Sequence, residues 1–447
     1  MKHDHSRVAE YKPNSISLTG GIAMGTGVMI GAGIFALTGQ IAELAGPLFP
    51  LSFVVGAIVT AFSAYTYIKM SNAYPSAGGI GMILQKAYGP GTVAGGAALL
   101  MAFSMIINES LVARTFGTYT LRLFDQGPDS FLVPVLGVGL IIFAFLVNLS
   151  GNRSVGWVSL SLAVLKVGGI LAFAVTALWA AGFSFASAQP GTATSGFPLS
   201  GFVASVAFSI LAYKGFTTIT NSGAEITDPH RNVGRAIIWS ILICVVVYLL
   251  VAFAVGSALS IPQIIAARDY SMAEAAGPVF GDFGTYFTVA LAIVATASGL
   301  LASIFAVSRM LAMLTDMKLI PHSHFGMPGQ IQAHTLVYTV VAAGFLTIFF
   351  DLSRIASLGV FFYLVMDIVI HWGVMRNLKT EIDASPTIMS VAILLDVIVL
   401  AVFSVVKIQS DPAIVVIAAI GIFAVFLFEA LYLSRSRRFP APDHHEH

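Results

Sequence analysis

The stretch Gly25-Thr-Gly-Val-Met-Ile-Gly-Ala-Gly-Ile-Phe35, running on to Gly46-Pro47, lies within the first long apolar segment, roughly residues 18–42. About 20 apolar residues in a helix cross a bilayer, so the segment is long enough to span one. Gly25, Gly27, Gly31 and Gly33 stand at its centre, and each glycine costs a helix about 1 kcal/mol against alanine. Two readings stay open at this level. Gly21-xxx-Gly25 and Gly27-xxx-Gly31 have the spacing that lets helix backbones approach closely. Alternatively, the helix is broken at mid-depth, and the freed N–H and C=O groups line an enclosed cavity or meet a ligand, because lipid cannot satisfy them.

The chain has 447 residues, of which 57% are hydrophobic and 10% charged, where soluble domains carry about 25% charged residues. Its apolar runs are continuous rather than alternating, which makes it an all-α polytopic membrane protein. A net charge of +1 gives no sign of a nucleic-acid partner. Cys244, the one cysteine, falls in an apolar run, so neither an intrachain disulfide nor a thiolate metal site is expected. Residues 1–13 are polar and carry three basic residues, without the short apolar core of a cleaved signal peptide.

Twelve spans are expected, roughly over 18–42, 48–73, 92–123, 131–149, 155–182, 199–225, 234–260, 282–315, 332–350, 355–375, 386–406 and 411–433. An even number puts both termini on one side. That side collects fifteen Lys and Arg residues, among them Lys2, Arg7, Arg153, Lys318 and Arg435, against four on the other: Arg122, Arg268, Arg354 and Lys407. The bias places both termini in the cytoplasm of a cell-membrane protein. Arg114, Lys166 and Lys214 remain inside spans three, five and six.

Span six repeats the peculiarity of span one. Ala212-Tyr-Lys-Gly215-Phe216 interrupts an apolar run, and Asn221, Ser222 and Gly223 follow. Two interrupted spans, five apart, point to a 5+5 inverted repeat over 18–182 and 199–375, with a site where the breaks meet. Spans eleven and twelve, over 386–433, are expected to be peripheral, with cytoplasmic tails at 1–17 and 434–447. Residues 261–281 form an external loop long enough for short helices over an entrance.

Four motifs give the sequence a resemblance to the amino acid–polyamine–organocation superfamily, specifically its prokaryotic amino acid permeases. They are Ile30-Gly-Ala-Gly-Ile-Phe35 with Gly46-Pro47; Tyr67 with Pro75-Ser-Ala-Gly78-Gly79 and Tyr88-Gly89; Phe208 to Phe216 with Ala224-Glu225, Pro229 and Arg231-Asn232; and Ser308-Arg309 with Asp316 and Leu319-Ile-Pro321. Lys69 and Gly81 depart from the pattern, where such permeases usually carry glutamate and tyrosine.

The resemblance implies a transporter with its substrate site at the breaks, formed by Met29, Ile30, Gly31, Ala32 and Gly33 of span one, Asn108 of span three, and Leu211, Tyr213, Lys214 and Gly215 of span six. The N–H groups of Ala32 and Gly33 would open a half-helix whose dipole suits a carboxylate. Free carbonyls of Met29, Leu211 and Lys214 would take the substrate ammonium. Gly25 and Gly27 are read as packing positions. Lys166 matches the span-five lysine of proton-coupled members, whose ammonium replaces sodium between spans one and eight. Snorkelling, or permanent pairing with a carbonyl cluster, is the alternative for it. Ser298 and Ser303 of span eight are neighbours of that cation position.

Lys214 either faces the site and favours acidic substrates or pairs with Glu109, which is itself a candidate proton carrier. Arg114 is expected to snorkel toward the outer end of span three. Glu225 is expected in a polar network with Arg231 or Arg309. His322, His324, His444, His445 and His447 lie in polar segments without a second ligand set, so no metal site is expected. No cofactor is expected beyond the proton as coupling ion.

The leading reading is import of an amino acid by proton symport, in a monomer or homodimer. An exchanger or polyamine carrier of the same fold is the first rival. An intramembrane enzyme is the second, and it lacks His-Glu-x-x-His and Gly-x-Ser-x-Gly motifs; His371, inside a span, has Asp367 at i−4.

Overall fold

The computed structural model describes residues 13–76, 78–149, 155–183, 198–317 and 331–438. Lys2, Arg7, Lys12, Arg153, Lys318, His322, His324 and residues 439–447 lie outside them. Among the described residues sixteen α-helices run in the order α1 (Leu18–Met29), α2 (Ala32–Ala45), α3 (Phe49–Ala73), α4 (Gly79–Tyr88), α5 (Thr92–Arg122), α6 (Leu132–Leu149), α7 (Val155–Ala180) and α8 (Leu199–Tyr213), then α9 (Thr217–Asn221), α10 (Pro229–Ala258), α11 (Ile261–Ala266), α12 (Ser271–Asp316), α13 (Ile331–Phe349), α14 (Leu352–Asn377), α15 (Pro386–Ser410) and α16 (Pro412–Arg438). All twelve intervals expected to span fall on these helices. Among the described residues nine segments are long and apolar enough to cross a membrane, beside three shorter apolar helices. The chain is a multi-pass α-helical membrane protein.

Local chemistry sets the boundaries. Ser17 Oγ accepts the Gly20 N–H at the start of α1 (3.1 Å), and Asp351 does the same for Arg354 at the start of α14 (2.9 Å). Ser260 and Gln263 form a reciprocal cap on α11. Proline lies in the first turn of α3, α10, α11 and α15, where its missing N–H costs nothing. α12 bends at Gly281, whose φ of 61° suits glycine; the arm before the bend and α11 lie in the stretch expected to carry short helices.

α5 packs against α6, α12 and α14, α3 against α10, and α1 against α10. Gly25 explains the last contact: a Cβ there would meet Ile219 Cδ1 at 2.5 Å and Ser240 Oγ at 2.8 Å. Gly81, one of the departures from the superfamily pattern, lies against the end of the Leu314 side chain, which a Cβ there would displace. α6 and α16 present large apolar side chains outward, with Leu146 58% and Phe423 67% exposed, as a lipid-facing surface requires. Arg114 does not snorkel. Its guanidinium donates to the carbonyls of Thr347 (2.9 Å) and Phe350 (2.6 Å), satisfying the C-terminal end of α13.

Candidate functional site

The first span is broken in its backbone. Ile30 N–H closes α1 on the Thr26 carbonyl (2.7 Å), Gly31 N–H turns back to Met29 (3.0 Å), and the ladder of α2 begins with Phe35 N–H on the Gly31 carbonyl (3.4 Å). The N–H groups of Ala32, Gly33 and Ile34 therefore precede that ladder, as the first donors of any helix do. They carry the positive end of the α2 dipole. Ile30 itself is fully buried, so its backbone rather than its side chain shapes the break.

The sixth span breaks differently. α8 tightens into a 3₁₀ turn at Lys214–Phe216 before α9. The carbonyls expected to be free are bonded. Leu211 accepts the Lys214 N–H, and Lys214 accepts the Thr217 N–H and, at 2.9 Å, its Oγ1. The reason is that a buried carbonyl without a donor is costly, and a 3₁₀ turn supplies one. The Leu211 carbonyl keeps a second lone pair, whereas that of Lys214 takes two donors, both from Thr217.

Two glycine contacts seat the breaks against each other. A Cβ on Gly33 would lie 3.1 Å from the Ala212 carbonyl oxygen, and one on Gly215 would lie 2.9 Å from the Met29 nitrogen. Tyr248 of α10 stands between them. Its hydroxyl lies 2.6 Å from the Met29 carbonyl and 3.0 Å from the Ala212 carbonyl, one from each break. Its ring packs on Tyr213 with centroids 5.0 Å apart, and the Tyr213 hydroxyl donates to the Phe53 carbonyl at 3.2 Å. Sequence reasoning passed over Tyr248. The only signal was one hydroxyl in the apolar run Val245-Val-Val-Tyr-Leu-Leu250.

Lys166 of α7 is 4% exposed, and its Nζ donates to the Gly27 carbonyl at 2.5 Å. Gly27 is not a close-packing position: among the described residues a Cβ there would find Lys166 Nζ at 3.7 Å and no other neighbour within 4 Å. The carbonyls of Gly27, Val28 and Ala295 all lie 3.5–3.9 Å from where a Gly31 Cβ would sit. The end of α1, the ammonium and α12 thus converge. Ser298 bonds the Ala295 carbonyl of its own helix at 3.2 Å.

Lys214 and Glu109 form no ion pair. The Lys214 ammonium donates to the Ser104 carbonyl (2.8 Å) and hydroxyl (2.9 Å) and lies 5.9 Å from the centre of the Tyr363 ring. Glu109 Oε1 accepts from Ser303 Oγ at 3.2 Å, which takes that serine away from Ser298, while Oε2 has no hydrogen-bond partner among the described residues. Asn108 is half-buried beside it.

At the far end of α2 the segment between α10 and α12 closes over the bundle. Gly39 lies against the Arg268 backbone. Gln40 Nε2 donates to Asp269 at 2.7 Å, Arg268 pairs with Glu43, and Arg122 pairs with Glu274 at 3.0 Å. Burial pushes the Asp269 carboxyl up to about 6, against the pull of Arg268.

The comparisons with known proteins agree with this architecture. A family model described as amino acid permease matches residues 16–432. An inner membrane transport protein of Escherichia coli, YbaT, is 28% identical over 93% of this chain and 95% of its own. A branched-chain amino acid permease of Lactococcus lactis, BcaP, is 30% identical over 51% of this chain and 52% of its own. A serine/threonine exchanger of Bacillus subtilis, SteT, is 24% identical over 60% of each chain.

Proposed function

The chain belongs to the amino acid permease family of the amino acid–polyamine–organocation superfamily, and on that premise we propose that it imports an amino acid across the cytoplasmic membrane by proton symport. The observation that carries the reading is the meeting of the two breaks through Gly33, Gly215 and Tyr248. The substrate carboxylate is held by the N–H groups of Ala32, Gly33 and Ile34, where the dipole of α2 favours negative charge. The ammonium takes the second lone pair of the Leu211 carbonyl, since those of Met29 and Lys214 each already meet two donors. Lys214, already engaged by Ser104, orders span three against the break and does not select acidic substrates.

The proton is carried by Lys166. Protonated, its ammonium donates to the Gly27 carbonyl and holds the end of α1 against α7 and α12. Deprotonated, it has lost its charge and its strongest hydrogen bond, and α1 is released. Glu109 is a second carrier on the path from span three. The two five-span halves are inverted repeats, so that rocking one bundle against the other exposes the midplane site alternately. The basic residues place both termini in the cytoplasm, and the layer of Gln40, Glu43, Arg268 and Asp269 then closes the outer side.

The similarity to a serine/threonine exchanger supports a second reading, obligatory exchange of one amino acid for another. Thermal stabilisation of the purified protein across a panel of amino acids and amines at two pH values tests the proposal. Stabilisation by amino acids that the Gly33→Ala variant loses is expected. Stabilisation by polyamines alone, or by no member of the panel, would contradict it.

A further inference from the structure

A second concentration of buried polar side chains lies away from the breaks, where α3, α14 and α15 pack together. Asp367 and His371 occupy i and i+4 of α14 and so share one face. Asp396 of α15 faces them, and all three are fully buried. His371 Nε2 lies 3.4 Å from Asp367 Oδ2 and 3.8 Å from Asp396 Oδ2. One donor atom from each of the three residues falls within 4.8 Å of the others.

α3 surrounds this trio with hydroxyls. Ser63 and Tyr67 donate to the two oxygens of Asp367 at 2.6 and 2.5 Å, and Thr66 Oγ1 pairs with His371 Nδ1 at 2.9 Å. Asp367 is thereby held as an acceptor. With Nδ1 engaged, Nε2 is turned toward the carboxylates and makes no hydrogen bond. Neither oxygen of Asp396 meets a hydrogen-bond donor among the described residues. A buried carboxylate in that position demands a counter-charge, and buried charges are paired or coordinate metals.

The spacing fits a metal. Bonds of about 2.0–2.1 Å in a tetrahedron set ligand atoms roughly 3.3 Å apart, so the two separations from His371 Nε2, 3.4 and 3.8 Å, close with shifts of about half an ångström or less. One imidazole and two carboxylates, without thiolate, form a donor set for Zn²⁺ or Mn²⁺ rather than for a soft ion. A neutral imidazole with two carboxylates carries two negative charges, which a divalent ion matches. Outer hydroxyls on both the histidine and a carboxylate are what orients such ligands. We propose that Asp367, His371 and Asp396 form an intramembrane site for a divalent first-row transition metal, Zn²⁺ by preference, that staples α14 and α15 to α3. The expectation of no metal site drawn from the polar histidines does not reach these residues, because Asp396 is distant in sequence. Tyr67 also packs edge-on against Phe216, with ring centroids 5.3 Å apart. The bound ion therefore steadies the wall behind the sixth-span turn.

The test uses the full-length protein, stripped with a chelator and titrated with Zn²⁺ alone, with Co²⁺ in parallel as a chromophoric probe. Wild type takes up one equivalent more than Asp396→Asn or His371→Gln; histidines of the polar segments titrate alike in all three and cancel. The four-coordinate Co²⁺ spectrum appears in wild type and vanishes in both variants, and Thr66→Ala weakens binding by about tenfold or more. X-ray absorption of the zinc-loaded wild type shows one imidazole and an oxygen shell. Equal uptake by all three proteins overturns the proposal. So does wild type that takes up no saturable zinc, or whose zinc lacks imidazole, whether or not the variants fold. Either result leaves a proton shared between Asp367 and Asp396 as the counter-charge.

Discussion

Four glycines that look alike in sequence do four different things. Gly25 seats α1 on α9 and α10, Gly27 leaves room for the Lys166 ammonium, Gly31 turns the backbone, and Gly33 lets span one touch span six. A Cβ on Gly31 finds its nearest neighbour at 3.5 Å, which is ordinary contact, whereas one on Gly33 would lie 2.7 Å from the Tyr248 hydroxyl. Gly31→Ala is therefore expected to fold with near-native thermal stability, and Gly33→Ala to melt at lower temperature; the reverse order would contradict this division of roles. Tyr248→Phe removes the hydroxyl that serves a carbonyl of each break. Losing a buried hydrogen bond costs about 0.5–1.5 kcal/mol. A fall in thermal midpoint and loss of substrate-dependent stabilisation should follow, and an unchanged melting curve would show that the bridge is not needed. The glycine cluster announced that something happens at mid-depth. Which glycine does what was not legible, because the answer depends on Ile219, Tyr248 and Lys166, each from another helix.

At the scale of elements, the helices themselves were legible. Long apolar runs can only be helical in lipid, and the sequence intervals land on helices throughout. The character of the breaks was less so. Span one breaks in its backbone as expected, but span six tightens into a 3₁₀ turn that bonds the carbonyls of Leu211 and Lys214. Hydrogen-bond satisfaction, not propensity, decides that. α4 went unread because its ten residues lie between turn signals rather than in a spanning run. The closure between α10 and α12 makes its own prediction. Burial raises the Asp269 carboxyl from 3.8 to about 6, so the closed arrangement binds a proton that an exposed Asp269 gives up. Closure is then most favourable in acid and loses that advantage as pH rises from about 4 through 6. Asp269→Asn keeps an acceptor for Gln40 and should abolish the dependence. Spin labels on the exposed Ala266 and Asp125 read closure as a distance between pH 4.5 and 7.5; a distance that shortens as pH rises would reverse the sign.

For the whole molecule, the charge bias supports the proposal that both termini are cytoplasmic. Cysteines placed at Asn14 and Asp125 should react with impermeant reagents from the cytoplasmic and the external side respectively. Labelling of both from one side would break the twelve-span account. The proposed transport is a property of the complete bundle, because the proposed proton site on α7, the proposed substrate site on α2 and α8, and the closing segment before α12 lie on different elements. In the proposal, what ties them is Lys166 on the Gly27 carbonyl. The most direct measurement is amino acid accumulation in proteoliposomes under an imposed pH gradient, wild type beside Lys166→Ala. Wild type is predicted to accumulate substrate above its external concentration. Lys166→Ala is predicted to bind and exchange it but to lose gradient-driven accumulation by about tenfold or more, the effect of one coupling group worth at least 1.4 kcal/mol. Accumulation by Lys166→Ala equal to wild type would contradict the account.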